Sequence, residues 1–131
     1  MESALAKYRP YALSLLRIVI GLQILQYGMG KILKFPVVPM FAQVTPFSLY
    51  GVAGLLELVL GILVLIGLFT RPAAFVLSGL MAFAYFMGHF PRGFFPILNG
   101  GDLAIIFSFA FLYLSTAGAG PWSMDAARGK A

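Results

Sequence analysis

Four apolar stretches, at about 11–30, 48–69, 73–90 and 102–116, limit this chain more than anything else in it. Each is close to the ~20 residues that an α-helix needs to cross a ~30 Å hydrocarbon layer, although the last two are slightly short. The expected fold is therefore all-α, an integral membrane four-transmembrane-helix bundle forming one domain over residues 1–131. Composition points the same way: 61% of residues are hydrophobic and 10% charged, where a soluble chain carries about 25% charged residues. The first stretch is too long for a signal-peptide core, carries Arg17, Gln23 and Gln26, and is followed by Lys31, so it is expected to stay in the mature protein.

The connections are punctuated by turn-forming residues. "KFPVVPMFAQVTPF" is a proline-rich loop, "TRP" a tight turn that makes the second and third spans an antiparallel hairpin, and "HFPRGFFPILNGG" holds two prolines and three glycines. With four spans both termini share a side with Lys7, Arg9, Arg71, Arg128 and Lys130, against Lys31, Lys34 and Arg92 on the other. The positive-inside rule then places both termini of this multi-pass chain in the cytoplasm. The nine Lys and Arg are scattered and form no basic block, which argues against nucleic acid as a partner. With no cysteine, the chain can hold no disulfide, thiol relay or iron–sulfur cluster. One histidine cannot ligate a bis-His haem, so neither metal nor haem is expected from the chain alone.

Helical periodicity sorts the polar residues onto faces. In the first span Arg17, Gly21, Ile24, Gly28 and Lys31 form one stripe, Gln23, Gln26, Tyr27 and Gly30 the adjoining one, and Leu15, Ile18, Leu22, Leu25, Met29 and Ile32 a lipid-facing surface. In the second, Tyr50, Gly54, Glu57, Gly61 and Leu68 align, so Glu57 shares a face with glycines that let another helix come close. Ser78, Ala82, Tyr85 and His89 align in the third span, and Asp102, Phe109, Tyr113 and Thr116 in the fourth. An ionisable group at mid-membrane depth is a functional candidate by default. Glu57 is either a titrating group or one half of a structural pair, with Gln23 a hydrogen-bond partner at similar depth. Arg17 lies about 9 Å away in depth, and either reaches towards Glu57 or snorkels to head groups.

Lys31, Lys34, Arg71 and Arg92 stand at span ends as interface anchors, with Lys31 also a candidate ligand contact. His89 is a proton-transfer candidate or a solvated helix-end residue. Asp102, after "NGG", caps the fourth helix or serves as an acid. His89, Asp102 and the loop between them are expected to border an opening. Nucleotide-binding glycine patterns, nucleophile elbows, HExxH and EF-hand loops are absent.

The segments "LLRIVIGLQILQYGMGKIL", "GLLELVLGILVLIGLFTRPAA", "NGGDLAIIFSFAFLYL" and "GAGPWSMD", in this order and spacing, resemble the DoxX family of small four-helix membrane proteins. The family pattern of an Arg early in the first span, Gly-x-x-Lys at its end, a Glu within the second, a G-L-x-T-R-x-A turn and a G-G-[ED] opening the fourth is met by Arg17, Gly28 with Lys31, Glu57, residues 67–73 and residues 100–102. Tyr27 stands where relatives often carry a histidine. The resemblance implies membrane redox systems, including a subunit of thiosulfate:quinone oxidoreductase, and wider relatives act as assembly factors.

The expected function is thus a membrane subunit of a quinone-linked oxidoreductase. Glu57, His89 and Asp102 are its candidate catalytic groups, and Arg17, Gln23, Gln26, Tyr27, Lys31 and Tyr85 its candidate ligand contacts. Quinone is the expected cofactor. The bilayer, a redox or membrane protein and a second copy of the chain are the expected partners. The alternative is a non-enzymatic assembly or scaffold protein whose glycine faces hold a partner helix.

Overall fold

The computed structural model describes residues 2–131, and among them the fold is all-α. Helix α1, Arg9–Gly28, opens with Pro10 in its first turn, where no donor N–H is required, and runs on as a π-helical turn, Met29–Leu33. Helix α2, Leu49–Ile66, starts at Ser48, whose Oγ accepts from the Gly51 N–H at 3.0 Å. It ends at Gly67, in left-handed backbone at φ 72°. Helices α3, Thr70–Gly88, and α4, Asp102–Ala117, complete the bundle. The tight turn falls at residues 67–69, and "TRP" forms the first turn of α3. Pro72 fits there because its missing N–H has no partner to lose.

Three helical stretches, Arg9–Leu33, Leu49–Ile66 and Thr70–Arg92, are long and apolar enough to cross a bilayer. Helix α4 is also apolar but has 16 residues, a length of about 24 Å. The protein is a helical membrane protein.

Helices α1 and α2 meet through glycines. A Cβ on Gly28 would lie 2.5 Å from the Leu58 nitrogen, and one on Gly21 2.9 Å from that of Leu65, so only glycine lets these backbones approach. Helices α3 and α4 pair through Leu77 and Met81 against Phe107, Phe111 and Leu114. Two serines tie them: Ser78 Oγ donates to the Ser108 carbonyl at 2.7 Å, and Ser108 Oγ to the Ser78 carbonyl at 2.9 Å. Ile20, Ile24 and Val64 join the pairs into one core.

The Asp102, Phe109, Tyr113 and Thr116 stripe faces outward, because Ala104, Phe107, Phe111 and Leu114 fill the inner face of α4.

The C-terminal tail locks one end of the bundle. The Asp125 carboxylate accepts from the backbone N–H groups of Phe69, at 3.0 Å, and Thr70, at 2.9 Å, capping α3 from another part of the chain. Arg128 binds the same carboxylate at 3.1 Å and lies over the Phe69 ring. Burial works against the charge on Asp125. The Thr70 and Phe69 N–H groups and Arg128 more than offset it and hold the carboxyl below the usual carboxylate range.

A carboxyl depressed in the folded state contributes stability above its unfolded pKa and loses it as pH falls through the folded value. Thermal unfolding of the detergent-solubilised protein is therefore expected to lose stability from Asp125 as pH falls through and below the ordinary carboxylate range. Asp125→Asn should be less stable than wild type at neutral pH and converge with it in acid. Coincident curves at every pH would show that the cap contributes nothing.

Candidate functional site

The π turn carries Lys31 inward, towards α2. Its Nζ donates to Glu57 Oε1 at 2.7 Å, and both residues are buried. Gly54, one turn before Glu57, makes room for the lysine stem, since a Cβ there would sit 2.7 Å from Lys31 Cβ. π-Helical insertions recur at functional sites because they re-aim a side chain without ending the helix.

Phe41 closes the pair off. Its buried ring lies 5.3 Å from Lys31 Nζ, at cation–π distance, and meets Tyr27 edge-on at 6.4 Å. Lys34 holds the Phe41 loop in place: its Nζ donates to the carbonyls of Lys31, Phe41 and Val44 at 2.9, 2.8 and 2.6 Å. Beside Phe41 lies an open, largely apolar cleft of about 300 Å³, lined by Gln26, Tyr27, Pro36, Val38, Met40 and Phe41. That volume is at the lower end for small-molecule sites.

Arg17 takes no part in this site. Its guanidinium donates to the carbonyls of Ala119, Trp122, at 2.7 Å, and Leu65, at 3.4 Å. The carboxylate of Glu57 is held by Lys31 instead. Gln23 does not reach Glu57 either. It lies on the exposed side of α1, where its Oε1 accepts from Gln26 Nε2 at 2.9 Å.

The family model for DoxX matches residues 12–90, which take in α1, α2, α3 and the Lys31–Glu57 pair. The chain belongs to the DoxX family. A Haemophilus influenzae relative, described as an uncharacterized protein, is 47% identical over 127 residues, covering 92% of this chain and 93% of its own. No solved structure shows significant similarity to the chain.

The DoxX match ends just past His89, where a second polar cluster joins α3 to α4. Asn99, 1% exposed, is its centre. Its Nδ2 donates to the Tyr85 hydroxyl at 3.1 Å and to the Gly93 carbonyl at 2.9 Å, while its Oδ1 accepts from the Gly101 N–H at 2.8 Å. The Asn99 carbonyl lies 3.1 Å from His89 Nδ1, so that nitrogen carries the proton. The His89 ring stacks with Tyr85 at 6.3 Å. Asp102 lies exposed in the first turn of α4 and makes no side-chain cap, while Asn99 Oδ1 accepts from the N–H of Gly101, the residue just before the helix.

Of the nine candidate residues, the structure joins Lys31 with Glu57, places Gln26 and Tyr27 on the neighbouring cleft, and sets Tyr85, His89 and Asp102 apart on the α3–α4 pair. Phe41, Lys34 and Asn99 were missed. Only Asn99 carried a sequence signal, the "NGG" before an apolar run.

Proposed function

We propose that the protein binds a quinone-like ring in the Tyr27–Phe41 cleft and serves as the membrane subunit of an oxidoreductase in the bacterial cytoplasmic membrane. The observation that carries this reading is that Phe41 both lines an apolar cleft and packs against Lys31 of the buried, hydrogen-bonded Lys31–Glu57 pair.

The residues fit such a ligand. Pro36, Val38, Met40 and Phe41 offer apolar walls for a ring, and the Gln26 amide and Tyr27 hydroxyl supply donors for its carbonyl oxygens. A bound quinone would supply reversible uptake of electrons and protons. Gln26 and Tyr27 orient the ring, Phe41 keeps water from the ion pair, and Lys31 and Glu57 hold a proton at mid-membrane. Electrons come from a partner redox protein. Both termini are assigned to the cytoplasm, with α4 as the fourth span, because Arg71, Arg128 and Lys130 gather where the tail meets the start of α3.

The assembly-factor alternative rested on free glycine faces. Gly21, Gly28 and Gly61 are instead covered within the chain by Leu65, Leu58 and Ile24, which favours the ligand-binding reading.

Mass spectrometry of lipid-soluble compounds co-purifying with the intact protein is expected to find a quinone at one per chain. Tyr27→Phe should weaken its binding by roughly three- to tenfold, the worth of one hydrogen bond. A folded, quinone-free protein that also fails to take up added quinone would end the proposal.

A further inference from the structure

The loops opposite the tail carry large apolar side chains out of the fold. In the 90–101 connection Phe94 is 73% exposed, Ile97 82% and Leu98 80%, and in the 34–48 connection Val37 reaches 83% and Phe47 97%. Single exposed apolar residues are ordinary, but a cluster of this kind marks an interaction surface.

What covers it follows from the neighbouring helix. Phe86, on the outward face of α3, touches Phe90 at 5.9 Å between ring centres. Phe90 touches Phe94 at 6.4 Å, and Phe94 touches Phe95 at 5.4 Å. The rings form an unbroken path from the lipid-facing surface of a spanning helix onto the loop. Helix α4, with 16 residues, is about 24 Å long and falls short of a ~30 Å hydrocarbon layer. The segment that leads into α4 is itself apolar. That segment is "GFFPIL", residues 93–98.

A loop in such a position also needs its backbone satisfied without water. Asn99 does this from within, holding the Gly93 carbonyl and the Gly101 N–H, while Pro96–Asn99 forms a helical turn whose Asn99 N–H donates to the Phe95 carbonyl at 2.9 Å. Asp102 sets the depth. An exposed carboxylate belongs at the head-group level, so the residues before it lie flat along the interface and not in the middle of the bilayer.

We infer that residues 93–98 form an interfacial membrane segment, whose Phe94, Ile97 and Leu98 side chains sit among the phospholipids of the leaflet at this end. The first loop adds Val37 and Phe47 to the same surface.

The absence of native cysteine makes a direct test possible. Phe94→Cys, Ile97→Cys, Leu98→Cys and, as a control in the charged tail, Lys130→Cys are each labelled with a nitroxide in the full-length protein. The labelled proteins are then placed in vesicles of phosphatidylethanolamine and phosphatidylglycerol. The native residues are exposed, so thermal unfolding should match the unsubstituted protein. The expected result is a ratio of oxygen to nickel-chelate collisions several-fold higher at 94, 97 and 98 than at 130, as apolar oxygen partitions into lipid and the chelate does not. A ratio at 97 and 98 equal to that at 130 would place the loop in water and overturn the inference. Low collision rates with both reagents would place a second copy or another protein over the loop, and would overturn it equally.

Discussion

Lys31→Met is expected to lower the stability of the detergent-solubilised protein by about 3–5 kcal/mol, and Glu57→Leu by a similar amount, because each strands a buried charge without its partner. The double variant is expected to recover most of the loss, since two apolar side chains of similar volume have no charge to desolvate. This non-additivity is the signature of a direct pair, and a double-mutant cycle by thermal or denaturant unfolding measures it. Additive losses would mean that the 2.7 Å contact carries no coupling.

The double variant also separates structure from function. If the pair only glues α1 to α2, a folded Lys31→Met/Glu57→Leu protein binds quinone as the wild type does. If the pair serves the ligand, the fold survives and binding or turnover is lost. Glu57→Gln alone is a poorer probe than its isosteric shape suggests, because it leaves the Lys31 ammonium facing a neutral amide. The sequence pointed to Gln23 as the neighbour of Glu57, and with that neighbour the amide would have been harmless. With Lys31 it is not.

The difference between those two neighbours shows what could be read from residues alone. Hydrophobic length located the helices, and glycine spacing identified the α1–α2 contact, since Gly21, Gly28, Gly54 and Gly61 recur at helical intervals and have no other use in an apolar run. The same wheel put Lys31 on the Arg17 stripe, which was correct. Its position at the end of the span nevertheless suggested an anchor, because depth was counted at a constant rise and the π turn was not foreseeable. Glutamines on a helix look like interior polar groups. Gln23 and Gln26 satisfy one another at 2.9 Å and remain outside. Contacts across long stretches of chain were the least legible: Arg17 binds a segment about a hundred residues away, and Asn99 reaches Tyr85 on the preceding helix through a loop conformation that "NGG" alone does not specify.

Arg17→Met is expected to release the C-terminal tail. The guanidinium, 1% exposed, donates to the Ala119 and Trp122 carbonyls of the tail and to the Leu65 carbonyl near the end of α2, so it fastens three parts of the chain at once. Methionine keeps the apolar stem but leaves those carbonyls without their charged donor, at roughly 1.5–3 kcal/mol for a charge-assisted bond in a buried setting. The remaining links include the Ser14 hydroxyl, which accepts from the Trp122 N–H at 3.1 Å, the Asp125 N–H, which donates to the Gly67 carbonyl at 2.8 Å, and the Asp125 carboxylate cap on α3. A cysteine at Ser123 reports the outcome, because that residue packs beside Gly67 and Arg17. In the Arg17→Met background its reaction with a water-soluble maleimide should speed up by about tenfold or more, in line with the lost hydrogen-bond energy. Arg17→Lys, which keeps a charge but has no planar fork to reach several carbonyls, should fall between the two. The Lys31–Glu57 pair lies towards the opposite end of α1, so ligand binding should persist when the tail is loose. Unchanged maleimide rates at Ser123→Cys in the Arg17→Met protein would show that the other contacts hold the tail without Arg17.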